Sequence, residues 1–394
     1  MISTDAALAR ILALIGPLPG EDVALADAAG RVLAAPARAD RAQPAFAASA
    51  MDGYATRLAD AVPGARLRVI DTAQAGQAAT RPVEPGTAIR IFTGAPMPTG
   101  ADRVVIQEDT TAEGDWVTLA DNPGDGPHVR PIGADFAAGF TLDPPRRLRP
   151  ADIALLAAMN LGWVSVTRRP VVALIATGDE LVAPGQPLGP DQIPASNAYG
   201  LAALCAAQGA APQILPIARD TTADLDRAFD AAAAADIVVT IGGASVGAHD
   251  LVRPVAAARG LDLSFWKVAM RPGKPLLAGR LGAATLIGLP GNPVSAMVCG
   301  HLFLRPAIDR ALGLAAGPLP RRSARLTAAV PANGPREHFM RARTDDTGGV
   351  APFPTQDSAL LSVLAGADAL LVRPPGDGPR APGAVVDIVP LGPP

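Results

Sequence analysis

Two spacings of apolar residues alternate along the chain and divide it. Leu8, Ile11, Leu12 and Ile15 recur at helical intervals behind Ser3, Thr4 and Asp5, and Gly16-Pro17 stops the run, which predicts an N-terminal amphipathic helix. From about Val23 to Arg130 the apolar runs shorten to LRVI and AIRIF, separated by Pro-Gly and Asp-Gly turns, the texture of a small β-rich module. PADIALLAAMNLGWVSVTRRP then reads as a helix, a glycine stop and a strand, and Arg168-Arg169-Pro170 marks a boundary.

From Val171 short apolar runs alternate with Ala-rich helical patterns. VVALIAT, PQILPIA, DIVVTI and AATLIGL read as strands, and ASNAYGLAALCAAQGA and TTADLDRAFDAAAAA as helices, the second capped by Thr221 or Thr222. The last strand feeds one long helix in LPGNPVSAMVCGHLFLRPAIDRALG, with Asn292 at its N-cap and Pro293 in the first helical position. Runs that are apolar on both faces suit parallel strands covered by helices, so the expected fold is α/β, a doubly wound sheet with right-handed crossovers. After Pro318 short strands with Pro and Gly turns return and fit a small β-barrel or sandwich.

Composition narrows this picture. A chain of 394 residues predicts roughly two to four domains. With 49% hydrophobic and 18% charged residues it is globular and not predominantly disordered. A net charge of −3 offers no global attraction to nucleic acid or an anionic membrane, so any anionic ligand must be held locally. Cys205 and Cys299 lie in apolar patterns and read as core thiols, which fits a reducing compartment. The N-terminus lacks a signal peptide's basic start, and no apolar run reaches the ~18 residues that span a bilayer, so a cytoplasmic protein is expected.

Candidate chemistry gathers where strands end. DIVVTI runs into GGASVGAHD, where Gly242, Gly243 and Gly247 permit a tight turn that bares backbone N–H groups and Ser245 adds a hydroxyl. Taken alone this turn is either a plain strand-to-helix connection or a phosphate cradle, since it is neither a P-loop nor the dinucleotide fingerprint. TGDE (Thr177 to Glu180), Arg219-Asp220 and LPGNP (Leu289 to Pro293) also fall at carboxyl ends of strands, where ligands bind in open α/β sheets. Arg271 and Lys274 in MRPGKP supply positive charge. Asp179, Glu180, Asp220 and Asp250 would crowd one cleft, and unit charges ~4 Å apart near a surface repel by about 4 kcal/mol. A divalent cation answers that repulsion, and Mg²⁺ with a diphosphate ligand suits the set; separately solvated helix caps are the rival account for each acid alone. On local grounds Asp52, in SAMDGYA, is a turn residue, Thr93 ends the strand AIRI, and Asp135 is a solvated loop acid.

SAMDGYA, IFTGAPMPTGADRVV, RPIGADF, RRPVVALIATGDELV, IPASNAYGL, GGASVGAHD, MRPGKP, LPGNPVS, FMRAR and TQDSALLSVLAGADALL resemble, in order and over nearly the whole chain, the motifs of the MoeA-type molybdopterin molybdenumtransferases, which include the gephyrin E domain. The resemblance implies four modules: an elongated one from residues 1–20 and 131–169, a β-rich insertion at 21–130, an α/β molybdopterin-binding domain at 170–317 and a C-terminal β-barrel at 318–394. It also implies a homodimer whose cleft combines the α/β and C-terminal modules of one subunit with the β-rich module of the other. The implied reaction is Mg²⁺-dependent insertion of molybdate into the dithiolene of adenylylated molybdopterin, with release of AMP. Carried over motif by motif, Asp52, Thr93, Asp135, Glu180, Asp220 and Asp250 are the functional polar positions, with Asp220 and Asp250 holding the metal. Thr177, Gly178, Asp179, Ser196, Asn197, Gly242, Gly243, Ser245, Gly247, Arg271, Lys274, Pro290, Gly291, Asn292 and Pro293 would bind the pterin substrate, and Pro290 and Pro293 shape the pterin-side loop. A molybdopterin adenylyltransferase and molybdoenzyme maturation factors are the implied protein partners.

Two departures stand out: Ala244 replaces a common Val in GGASVG, and Arg271 replaces the Lys of some members. Neither removes a donor or a charge, and Arg271 offers an oxyanion two N–H groups where Lys offers a point charge. Three alternatives compete. A molybdopterin adenylyltransferase shares the α/β module but normally lacks the flanking β modules with SAMDGYA. A non-catalytic gephyrin-like scaffold would not need intact Asp52, Glu180 and Asp250. A protein of the competence-damage type would carry GGLGPT-like sequence in place of GGASVG.

Overall fold

The computed structural model describes residues 1–243 and 251–392. Its centre is a six-stranded sheet in which Ala211–Ile214, Val171–Ala176, Ile237–Ile241 and Ala284–Leu289 run parallel, followed by antiparallel Leu277–Leu281 and Asp262–Trp266. The α/β expectation therefore holds, with two further strands, each joined by antiparallel pairing, extending the sheet beyond the four that periodicity predicts. Alternation explains the burial on both faces. Val172, Leu174 and Ala176 join Ile237, Val239 and Ile241 in one core, whereas Ala173, Ile175 and Val238 pack in a second. Ser196–Ala207 and the helical run from Pro293 cover the first face, and Thr222–Ala231 and Val252–Ala258 cover the second.

The run from Pro293 is not one uninterrupted α-helix. Pro293–Cys299 passes through a π-helical stretch, Gly300–Leu304, before Arg305–Ala311 resumes α-helix. Asn292 occupies the N-cap position but makes no capping bond with its side chain.

The N-terminal helix, Thr4–Ala13, is capped by Ser3, whose Oγ accepts the Ala6 N–H at 3.2 Å. Its stripe of Ala7, Leu8 and Ile11, continued by Ile15, packs with Phe303, Ile308 and Leu312 in the α/β core. The helix thus rests its apolar stripe on the α/β module, while Gly20 pairs with Thr167. Gly20–Ala24 pairs with Trp163–Thr167, and Val32–Leu33 with Arg146–Arg147. Residues 21–24 and 32–33, expected in the β-rich insertion, are thus strands of a separate four-stranded sheet shared with residues 146–147 and 163–167. The six-stranded sheet of the insertion draws its strands from Gly53–Thr56 to Trp116–Leu119.

At the C-terminal end Glu337–Thr344, Gly349–Pro352, Arg322–Leu326, Val385–Pro390 and Ala369–Arg373 pair in that order, and the first and last pair with each other. This closes a five-stranded barrel, which leaves no free strand edge within the ring. Met270–Arg271 adds a sixth strand, parallel to Glu337–Thr344, and carries the α/β module's MRPGKP loop onto the barrel. Among the described residues no helix is long and apolar enough to cross a membrane.

Candidate functional site

Val171–Ala176 lies between Ala211–Ile214 and Ile237–Ile241, so the chain crosses from it to one neighbour and then over it to the other. A crevice opens at such a switch point, outside the carboxyl ends of the strands. Here it is a cleft of 630 Å³. Thr177, Gly178 and Glu180 line it from the first strand, Gly242 and Gly243 from the third, and Pro290, Gly291, Asn292 and Pro293 from the fourth. Ser196, Asn197 and Asp220 complete the expected set on its wall.

The backbone at Gly242 has room for no other residue. Its φ is +100°, and a Cβ there would sit 2.8 Å from Thr177 Oγ1 and 2.9 Å from the Thr177 carbonyl oxygen. The close approach is enforced by the ladder, in which the Thr177 N–H donates to the Ile241 carbonyl at 3.1 Å and the Gly242 N–H to that of Leu289 at 3.0 Å. Asn197 Nδ2 donates to the Gly291 carbonyl at 2.7 Å and fixes the LPGNP loop against the helix Ser196–Ala207. Asp179 stays outside the cleft lining, where its Oδ1 accepts the Asp220 N–H at 3.2 Å. That bond ties Asp179 to the backbone of the Asp220 loop.

A second cavity, of 560 Å³, adjoins the first and shares Pro275 with it. Arg271, Lys274 and Arg336 line it, opposite Ser295 and the barrel segment Gln356, Asp357 and Ser358. Arg341, fully buried, reaches the same segment: its Nη2 donates to the Asp357 carbonyl at 2.9 Å, whereas Nε and Nη1 have no protein partner. Burial and then the neighbouring Arg271 charge push its pKa below the usual guanidinium value. Three cations and one acid, Asp357, thus line the cavity, a charge balance able to attract an anion. Sequence reasoning singled out Arg271 and Lys274 but missed Arg336, Arg341 and Ser358. The available signal was FMRAR and TQDSALL, which were matched as motifs without a role.

Other expected residues lie away from the cleft of their own chain. Asp52 Oδ1 accepts both the Thr93 N–H, at 2.7 Å, and the Thr93 hydroxyl, at 2.8 Å. Those two bonds, with the Arg90 charge, hold its carboxyl below the usual carboxylate range. The pair sits on the β-rich module, and neither residue lines either cavity. Asp135 is exposed in the loop after Pro131, and its N–H donates to the Gln43 carbonyl at 2.9 Å. Ser245, Gly247 and Asp250 lie outside the described residues. Among the described residues no three acids, histidines or cysteines converge on a point where a metal ion would fit.

Comparison with known proteins gives the whole constellation a family. Residues 2–160 match the MoeA N-terminal region (domain I and II), residues 173–310 a probable molybdopterin binding domain, and residues 323–391 the MoeA C-terminal region (domain IV). The chain is 40% identical over 365 residues to molybdopterin molybdenumtransferase 2 of Mycobacterium tuberculosis, covering 89% of this chain and 90% of that one. It is 39% identical over 372 residues to the molybdopterin molybdenumtransferase of a Nostoc species, covering 91% and 85%. A crystal structure of the molybdopterin biosynthesis MoeA protein from Pyrococcus horikoshii superposes with a TM-score of 0.84 at 26% identity, covering 98% of this chain and 99% of that one. The chain therefore belongs to the MoeA family of molybdopterin molybdenumtransferases.

Proposed function

We propose that this chain is a molybdopterin molybdenumtransferase, which inserts molybdate into the dithiolene of adenylylated molybdopterin with release of AMP. One observation carries the reading. A cleft built from strand ends, glycine turns and a helix start adjoins a cationic cavity, and the two share Pro275. The first suits a phosphorylated pterin, held by backbone N–H groups beside Thr177 and Asn197. The second suits a tetrahedral oxyanion, gripped by Arg271, Lys274 and Arg336, with the buried Arg341 charge adding to the positive potential nearby. An enzyme that joins an oxyanion to a diphosphate-bearing ligand needs these two sites side by side.

Glu180 and Asp220, both on the cleft wall, offer the hard carboxylate oxygens that Mg²⁺ takes, so the residues present fit that ion. Asp220, together with Asp250, would hold it. When bound, Mg²⁺ neutralises the diphosphate and stabilises its leaving oxygen. The protein's own part is to orient the anhydride on the glycine turn and to deliver the oxyanion from the cationic side. Asp52, Thr93 and Asp135 line neither of the two cavities described for their own chain, which supports a homodimer whose second subunit supplies them. The reading places the enzyme in the cytoplasm, downstream of a molybdopterin adenylyltransferase.

The test is AMP release from adenylylated molybdopterin by purified protein, with Mg²⁺ and molybdate and without ATP. Release that depends on molybdate is expected. Formation of adenylylated molybdopterin from molybdopterin and ATP, without molybdate-dependent release, would overturn the assignment in favour of an adenylyltransferase.

A further inference from the structure

His338 lies in the barrel wall beside the cationic cavity. It stands opposite Arg271 in the parallel pairing of Met270–Arg271 with Glu337–Thr344, and opposite Arg373 in the antiparallel pairing with Ala369–Arg373. Residues paired across strands share a face, so its imidazole is flanked by two guanidinium-bearing side chains. It is 7% exposed, and its Nε2 has no protein partner.

We propose that filling of the cationic cavity by a tetrahedral dianion places a proton on His338, so that oxyanion binding by this chain is linked to proton uptake. The inference rests on the assignment of that cavity to the oxyanion. The charged groups around His338 are nearly all cations. Arg271 faces it from the MRPGKP strand, Arg336 and Arg341 belong to its own segment, and Arg373 comes from the neighbouring strand. The acids offset only part of this charge: Asp377 pairs with Arg373, and Asp357 lines the cavity itself, against Arg271, Lys274, Arg336 and Arg341. Asp377 takes Arg373 at 2.6 Å and Arg380 at 2.8 Å, Glu337 takes Arg321 at 2.9 Å and the Thr4 hydroxyl, and Asp357 Oδ1 takes the Ala359 N–H at 2.9 Å. Burial, followed by the four arginine charges, pulls the His338 pKa down to about 4.

An anion seated on Arg271 and Arg336 offsets the charges that keep the imidazole neutral. The pKa of His338 then rises, and between the two values the imidazole gains a proton that it does not hold without the anion. By linkage, the oxyanion binds more tightly as pH falls, over the interval between the empty-pocket and filled-pocket values.

The experiment is calorimetric titration of the full-length protein with sodium molybdate and, separately, sodium sulfate, which carries no proton of its own above pH ~4. Each titration is run in two chloride buffers of different ionisation enthalpy. The expected result is a buffer-dependent enthalpy equivalent to about 0.3–1 proton taken up per site near pH 5.5, falling towards zero at pH 8. His338→Gln is expected to abolish the buffer dependence, with melting at pH 8 used to establish that the variant is folded. Binding with the same enthalpy in both buffers in the wild-type protein overturns the inference while leaving the oxyanion pocket in place. Uptake that persists in folded His338→Gln also overturns it. Failure of either anion to bind at any pH overturns the pocket assignment and the inference with it.

Discussion

Asn292 donates from Nδ2 to the hydroxyl of Ser358 at 2.9 Å, and the Val294 N–H donates to the Ser358 carbonyl at the same distance. Asn292 lines the strand-end cleft and Ser358 the cationic cavity, so one contact joins the LPGNP loop to the C-terminal module. Asn292 makes this bond across modules and makes no side-chain cap on its own helix, so its side chain ties the loop to the barrel side.

Ser358→Ala should therefore cost more in turnover than in stability. Losing one partly exposed hydrogen bond is worth about 1 kcal/mol, or roughly a fivefold fall in kcat/KM if the bond is used only with both ligands in place. Steady-state AMP release paired with thermal melting measures the split. An equal loss in both, or in stability alone, would show that the contact is merely structural.

Much of this was legible in the chain. DIVVTI announced a strand buried on both faces because its alternate residues serve two cores, and the glycines after it announced a turn that only glycine can make. The cleft residues from Thr177 to Pro293 were reachable because each follows a strand directly. What the chain concealed depends on long-range pairing. Gly20–Ala24 finds its partner at Trp163–Thr167, and no local pattern distinguishes that sheet from the one built of residues 53–119. The cationic cavity was hidden for the same reason. Arg336 and Arg341 come to Arg271 only through the register that sets Arg271 against His338, which closure of the barrel decides.

Gly242→Ala should damage both stability and activity. The backbone there has φ +100°, which costs a non-glycine residue about 1–3 kcal/mol, and the new methyl would press on Thr177. Relief requires the turn to move away from the cleft, and a displacement near 1 Å costs on the order of 10²-fold in rate. Melting temperature and molybdate-dependent AMP release report the two effects. Wild-type values for both would refute the tight-turn account.

Stability should fall as pH drops from about 6.5 towards 4. His301, in the π-helical stretch, has its pKa lowered to about 4 by burial and then by Arg305, and His338 is lowered to about 4 by burial and its arginine neighbours. A base whose folded pKa is depressed binds fewer protons folded than unfolded between the two values, so the folded state gains stability as pH rises through that window. Above about pH 6.5 the contribution is complete, and below it roughly 2–3 kcal/mol per histidine is progressively lost. Melting curves from pH 4.5 to 7.5 in chloride buffers should show the decline, and His301→Gln should flatten it in part. An unchanged slope in that variant would remove His301 from the account.

Asp52 and Glu180 should complement each other between subunits. Asp52 is held by Thr93 on the β-rich module and touches neither cavity of its own chain, whereas Glu180 lines the strand-end cleft. If a second copy brings Asp52 to that cleft, Asp52→Asn and Glu180→Gln each silence AMP release as homodimers. A mixed dimer rebuilds one intact cleft from the native Glu180 of one subunit and the native Asp52 of the other, while its second cleft carries both lesions. Random exchange makes half the dimers mixed, so an equal mixture should regain about one quarter of wild-type activity. The measurement is AMP release after unfolding and refolding the two variants together, with exchange followed by differently tagged copies. Proven exchange with no recovered activity would place Asp52 and Glu180 in the service of the same subunit's site, and would end the shared-cleft reading.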